Sequence, residues 1–118
     1  MGRIGYAALA LVLGASGALA ADVGGAYTVK GTNFDGSPYS GTAEITVTSN
    51  TTCGINWVTN STTSKGFCML KNDAFAAAYV LGNDVGLIIY NVGEDGTLDG
   101  IWTIAGKDGA GTEVLTPK

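Results

Sequence analysis

The fold is decided by two similar stretches, Asp35-Gly36-Ser37-Pro38-Tyr39-Ser40-Gly41 and Asp95-Gly96-Thr97-Leu98-Asp99-Gly100. Each follows a short run that begins with a tyrosine, Tyr27-Thr28-Val29 in the first case and Tyr90-Asn91-Val92 in the second. Glycine accepts a positive φ without a Cβ clash, and the aspartate caps the turn through its own side chain. We therefore predict that each stretch forms the turn of a β-hairpin.

The rest of the chain has a period of two, which is typical of half-buried strands. From Tyr39 onward one face reads Tyr39, Gly41, Ala43, Ile45 and Val47, and the intervening residues are polar. The same reasoning predicts further strands over residues 25–31, 53–59, 66–71, 74–81, 85–92, 97–105 and 112–115, with turn residues between them. Eight sequential strands without a crossover helix favour an all-β fold, an eight-stranded antiparallel up-and-down barrel. A two-sheet β-sandwich is the alternative.

The alanine-rich residues 74–78 are the place where a helix competes with a strand, because alanine is the best helix former. Only about seven residues separate the flanking turn signals, which is too short for a stable helix. We therefore predict a strand here.

The two cysteines, Cys53 and Cys68, are expected to form a disulfide, since an even count is typical of small secreted chains. If they face each other across an antiparallel pair, Ile55 faces Gly66 and Trp57 faces Ser64. The turn then falls at Asn60 and Ser61, and asparagine tolerates the left-handed conformation of a tight turn. Two buried free thiols are the alternative.

Residues 1–20 have the pattern of a signal peptide, with Arg3, an apolar run from Tyr6 to Ala15 and the small residues Ala18 and Ala20 before a cleavage site. A single-pass anchor is the alternative, but the apolar run is shorter than the ~20 residues of a membrane span. The domain boundaries are then 1–20 for the signal peptide and 21–118 for a single β-barrel domain. We expect a periplasmic or secreted protein with no membrane span after processing.

The charge balance bears on the partners. The sequence has six Lys and Arg, ten Asp and Glu and no His; with Arg3 in the leader, residues 21–118 carry five lysines and a formal charge of −5. An acidic chain without arginine argues against nucleic-acid binding, which depends on cationic contacts.

Short Gly-x-aromatic signatures, Gly25-Ala26-Tyr27 and Gly100-Ile101-Trp102, are similar to those on strands of avidin-like and lipocalin-like barrels. Longer segments, among them residues 27–41, 66–69, 86–90, 96–102 and 111–117 together with Trp57, resemble small exported proteobacterial proteins that are uncharacterised or labelled fibronectin-binding. This resemblance covers nearly all of residues 21–118. It implies an exported β-domain and a fibronectin-binding-like function, and it supplies no catalytic motif.

Aromatic residues are the candidate ligand-binding residues: Trp57, Trp102, Tyr39 and Tyr90. Indoles line the mouths of avidin-like barrels, although in a small domain they more often belong to the core. Tyr27 and Tyr79 face the same choice between core and ligand contact.

No catalytic or metal site is predicted. Asp35, Asp95 and Asp99 lack the spacing of a calcium loop, so they are interpreted as turn-capping residues. A chain without histidine has no conventional triad, and Ser64 and Lys65 are adjacent on a strand and so point to opposite faces. We expect no cofactor and no enzymatic activity.

The prediction is therefore an exported binding protein of unknown ligand. Its partner would be an extracellular or envelope protein, or a small apolar ligand. The alternative is a barrel like the periplasmic inhibitors of secreted proteases, but that function needs an N-terminal trunk, and only residues 21–24 precede the first strand.

Overall fold

The structure, a computed structural model, describes residues 23–118, and all the regular elements of that range are strands. They are β1 (Gly25–Thr32), β2 (Pro38–Val47), β3 (Thr52–Thr59), β4 (Thr62–Lys71), β5 (Ala74–Leu81), β6 (Asp84–Val92), β7 (Leu98–Ile104) and β8 (Gly111–Pro117). The predicted signal peptide, residues 1–20, lies outside the described residues. Within that range no helix is long and apolar enough to cross a membrane.

The eight strands form a closed antiparallel barrel in sequence order. Each strand pairs with the next, and β8 pairs with β1, with Leu115 opposite Val29. The up-and-down barrel is confirmed, and the β-sandwich alternative is wrong because the β1–β8 ladder joins what would be the two sheet edges. Closure leaves no strand edge unpaired.

The predicted disulfide and its register are confirmed. Cys53 and Cys68 are opposite each other on β3 and β4, with their Cα atoms 5.0 Å apart, and Trp57 faces Ser64. Asn60 has a φ of 55° in the turn. The start of β4 was predicted too late, at Gly66: the strand begins at Thr62, because the two-residue turn lets pairing resume at once opposite Thr59.

The alanine-rich segment is strand β5, as predicted. Phe75, Ala77 and Tyr79 point into the barrel and are buried, while the alanines between them are exposed. Pairing with β4 and β6 along its length satisfies the backbone, and this tertiary contribution overrides the helical preference of alanine.

The two Asp-Gly turns have the same construction. In the first, Gly36 N donates to the Asn33 carbonyl at 2.9 Å and Ser37 N donates to Asp35 Oδ1 at 2.9 Å. In the second, Gly96 N donates to the Gly93 carbonyl and Thr97 N to Asp95 Oδ1, both at 3.0 Å. The φ angles of Gly36 and Gly96 are 86° and 85°. Both hairpins are confirmed, with aspartate capping and glycine in the left-handed region.

The barrel has two unlike ends. We call the end with turns 48–51, 72–73 and 93–97 the closed end, and the end with turns 33–37, 60–61 and 82–83 and loop 105–110 the open end. At the closed end Val23 is buried, and its carbonyl accepts a 2.6 Å hydrogen bond from the Tyr27 hydroxyl. The interior outside the open end is packed with mostly apolar side chains. The largest fully buried ones are Tyr90, Phe75, Ile55, Leu98, Leu115, Val23, Val29, Cys53 and Cys68.

The outer surface is apolar on one side. Phe67, Leu87, Ile89 and Ile101 are each more than half exposed, on β4, β6 and β7. Met69, Ala76, Ile89 and Ile101 are register partners in one row across β4 to β7. β5 and β6 are therefore largely apolar on both faces, whereas β1, β2 and β3 alternate as the sequence predicts.

Candidate functional site

A cavity of about 180 Å³ lies inside the open end of the barrel. Its walls come from the inward positions of the strands, because residues two apart on a strand point to the same face. The turn residues Asn33 and Asn60 are at its rim. The principal lining side chains are Tyr39, Trp57, Ser64, Tyr79, Leu81, Ile88, Trp102 and Glu113.

Glu113 on β8 is the charged residue in this interior, and it is only 4% exposed. Its Oε1 accepts a 2.6 Å hydrogen bond from the Tyr39 hydroxyl, and its Oε2 accepts one of 2.8 Å from Trp57 Nε1. The Tyr90 hydroxyl donates a further short hydrogen bond to Oε2. A buried carboxylate needs such donors to offset its lost hydration. Glu113 thus connects β2, β3, β6 and β8 through one hydrogen-bonded cluster.

Glycines on neighbouring strands let the aromatic rings lie flat against the barrel wall. A Cβ on the partner glycine would meet the ring in each case, so no larger residue fits without displacing it. The register pairs concerned are Tyr39 with Gly31, Tyr79 with Gly86 and Trp102 with Gly111. This arrangement, an aromatic ring covering a strand glycine, fixes the rings around the cavity.

The tyrosine hydroxyls are held in their neutral form. Burial, followed by the charge of Glu113, raises the pKa of Tyr79 to about 12. The same two causes raise the pKa of Tyr39 and of Tyr90 well above the ordinary value of 10.0. At any pH below 10 these phenols therefore keep their protons and remain hydrogen-bond donors, as the Glu113 cluster requires.

Trp102 forms one side of the cavity mouth. Its indole stacks on Phe34 of the first Asp-Gly turn, with ring centroids 4.8 Å apart, and meets Tyr39 edge to face at 6.3 Å. Its Nε1 is shielded from solvent, and among residues 23–118 it has no hydrogen-bond partner. A buried donor without an acceptor is costly, typically by about 1–3 kcal/mol. The N–H edge of the indole lies against Gly111 in the barrel wall, where a Cβ would meet it.

The four candidate ligand-binding residues occupy two levels. Tyr39, Trp57 and Trp102 line the cavity. Core and cavity lining are not exclusive, because Trp57 is only 4% exposed and belongs to both. Tyr90 lies beneath, fully buried, and stacks on Phe75 at 5.6 Å. It reaches the site only through its hydrogen bond to Glu113. Ligand contact by these residues stays a prediction.

Asp35 and Asp95 cap their turns as predicted, whereas the prediction for Asp99 is wrong: it lies on β7, where pairing with β6 places it opposite Asn91. Hydrogen bonds from the Ser37 hydroxyl and backbone N–H hold the pKa of Asp35 below its usual value, and hydrogen bonds from Thr97 do the same for Asp95. Ser64 lines the cavity while Lys65 is on the outer surface. Within the described range, no group of three or more potential metal ligands is found.

Glu113 was missed at the sequence level. The signal was the alternation of residues along β8, which places Glu113 on the same face as Leu115. An isolated carboxylate on the inward face of a barrel strand marks a polar site in the interior.

These features define a small up-and-down β-barrel with a polar, aromatic cavity at one end. No protein-family model matches the sequence, and no curated protein matches it. Among solved structures, the barrel is similar to a redesigned beta barrel with a TM-score of 0.73 at 19% identity, covering 84% of this chain and 94% of that one. It is also similar to the redesigned beta barrel mFAP1 bound to DFHBI, with a TM-score of 0.70 at 21% identity, covering 82% and 96%. At these identities the likeness concerns the fold.

Proposed function

We propose that the protein is an exported, non-enzymatic barrel that binds a small ligand in the cavity at its open end. The observation that carries the proposal is the cavity itself, walled by Tyr39, Trp57, Tyr79 and Trp102 and floored by Glu113. Ligand sites in proteins are concave, mostly apolar and equipped with a few placed polar groups. The redesigned barrel mFAP1, bound to DFHBI, supports the proposal as an example of this fold with a bound small molecule.

The size of the cavity limits the ligand. At roughly 30 Å³ for each water of the liquid, 180 Å³ is the space of about six waters. This is below the ~300–1,000 Å³ of sites for drug-sized molecules, so the ligand is a small one.

Export is supported by the disulfide, because disulfides persist in non-reducing compartments. The protease-inhibitor alternative needs a projecting N-terminal trunk. Val23 is instead buried at the closed end, which disfavours that function.

Binding of an extracellular or envelope protein is the second candidate, and the exposed row Met69, Ala76, Ile89 and Ile101 is the observation that favours it. Large exposed apolar areas are typical of interaction surfaces. A pull-down with fibronectin and envelope proteins tests it: retention by the wild type and loss in Ile89→Lys would support this surface.

The cavity is tested by filling it. Ser64 lines the cavity and Thr63, its neighbour on β4, is exposed on the outer surface, so Ser64→Leu and Thr63→Leu form a matched pair. We expect a panel of small fragments, monitored by ligand-observed NMR, to bind the wild type and Thr63→Leu but not Ser64→Leu. Equal binding to both variants would move the site to the loops, and reproducible turnover of any substrate would contradict the non-enzymatic proposal.

A further inference from the structure

We infer that the ligand of the cavity is a small organic cation. This inference rests on the proposed function, since it names the class of ligand that the same cavity takes. Two features of the cavity lead to it: the charge of Glu113 and the aromatic walls.

Among residues 23–118, the charge of Glu113 has no cationic partner in the barrel interior. Both carboxylate oxygens accept hydrogen bonds, which is the pattern of an ionised carboxylate, and all three donors, from Tyr39, Trp57 and Tyr90, are neutral groups. The five lysines of the described chain are exposed on the outside. Neutral donors replace water around a buried charge but do not balance it. A cationic ligand would supply the missing charge, and an anionic one would be repelled.

The walls suit a cation as well. The faces of aromatic rings carry negative potential and attract an ammonium group within about 6 Å. Trp57 and Tyr79 meet at a centroid distance of 5.4 Å with an interplanar angle of 63°, and Tyr39 and Trp102 meet at 6.3 Å and 71°. These two inclined pairs present ring faces and edges in several directions around one space.

A polar contact to the ligand is also available at Glu113. Glu113 Oε1 accepts from one side chain, whereas Oε2 accepts from two. Since each oxygen has two lone pairs, Oε1 retains room for a donor or a cation.

Choline is a suitable probe of this chemistry, because it is a compact cation with a hydroxyl oxygen. Its neutral isostere, 3,3-dimethylbutan-1-ol, has the same shape and hydroxyl without the charge, and 3,3-dimethylbutanoate is an anion of similar size. We expect the wild type to bind choline at least about tenfold more tightly than the neutral isostere, and the anion least tightly. Dissociation constants from ligand-observed NMR measure this, and the series needs no variant.

One variant isolates the contribution of the charge. Glu113→Gln removes the charge at nearly constant size, so the choline preference over the neutral isostere should fall toward one. Circular dichroism and thermal melts establish that the variant is folded.

Each outcome of the series decides something. Neutral or anionic probes that bind as well as choline would overturn the cation inference while leaving cavity binding in place. Binding of a neutral fragment without binding of any cation would likewise overturn the cation inference and leave cavity binding in place. If no fragment of any charge binds the wild type, the proposed function fails together with the inference.

Discussion

The closed and open ends of the barrel are built by the same strands but have different interiors. Along β5, Phe75 lies fully buried at the closed end, whereas Leu81, six residues later on the same inward face, borders the cavity. The closed end is filled by apolar side chains and by the disulfide, with Val23 inserted beneath them. The open end has indoles and phenols whose polar atoms need partners, and Glu113 accepts hydrogen bonds from Tyr39 and Trp57. Aromatic side chains therefore belong to the packed core at the closed end and line the cavity at the open end.

The Asp-Gly turns sharpen the comparison, because one lies at each end. Their hydrogen bonds agree within about 0.1 Å, so the local sequence alone determines the turn. Their side chains differ: at the open end Phe34 packs on Trp102 and Asn33 Nδ2 donates to Ser37 Oγ, whereas the corresponding residues at the closed end are the exposed Glu94 and Gly93. The Asp-Gly sequence determines the hairpin geometry. The side chain at the tip of the turn determines whether the turn packs against the barrel interior.

The largest expected effect comes from emptying the closed end. Phe75→Ala should lower the free energy of unfolding by about 3–5 kcal/mol, since it leaves a cavity in a filled interior. Leu81→Ala should lower it by less than about 2 kcal/mol, because Leu81 already borders open space. Denaturant unfolding with the disulfide intact measures both. Equal losses would mean that the two ends are packed alike.

Much of the closed end could be predicted from the sequence, because local rules decide it. The period of two assigned the strands, the even cysteine count gave the Cys53–Cys68 pair, and the register followed from that pair. Asp95 fixed the closed-end turn within a few residues of chain, as Asp35 did for its counterpart at the open end.

The open end could be predicted only in part. The sequence identified Tyr39, Trp57, Tyr90 and Trp102 by residue type, but not that the polar atoms of the first three converge on Glu113. The donors to Glu113 lie 23, 56 and 74 residues away along the chain, so barrel closure brings them together. A glutamate is normally exposed, and only the phase of β8 places this one inside.

An intermediate effect is expected at the turns. Gly36→Val and Gly96→Val should each lower the free energy of unfolding by about 1–3 kcal/mol, because a β-branched residue is forced to a positive φ. A Cβ at Gly96 would also lie 3.3 Å from Pro117, while the space at Gly36 is open, so the loss at Gly96 should be at least as large. Thermal and denaturant melts measure these losses.

Ser37→Ala and Thr97→Ala are the matched controls for the two turns. Each keeps the backbone donor to the aspartate, so we expect losses of less than about 0.5 kcal/mol. Losses as large as those of the glycine variants would show that side-chain hydrogen bonding, rather than φ, determines the turns.

The smallest expected effect is a difference in tyrosine ionisation between the two ends. Burial raises the pKa of Tyr27 at the closed end, while burial and the Glu113 charge together raise the pKa of Tyr39, Tyr79 and Tyr90. In Glu113→Gln we therefore expect the pKa values of the latter three to fall and that of Tyr27 to stay unchanged. Tyrosinate absorbance during an alkaline titration, in protein without residues 1–20 so that Tyr6 does not contribute, measures this.

The same pKa values determine how stability changes with pH. Above the unfolded-state value of 10.0 the unfolded chain loses its phenolic protons first, while folded Tyr79 keeps its proton to about 12. The unfolded state then binds fewer protons than the folded one, so the free energy of unfolding falls as pH rises through this window. Below it the phenols are neutral in both states and have no effect. A melting temperature that holds steady from pH 10 to 12 would contradict the raised pKa values, and a smaller fall in Glu113→Gln than in the wild type would tie the effect to the open end.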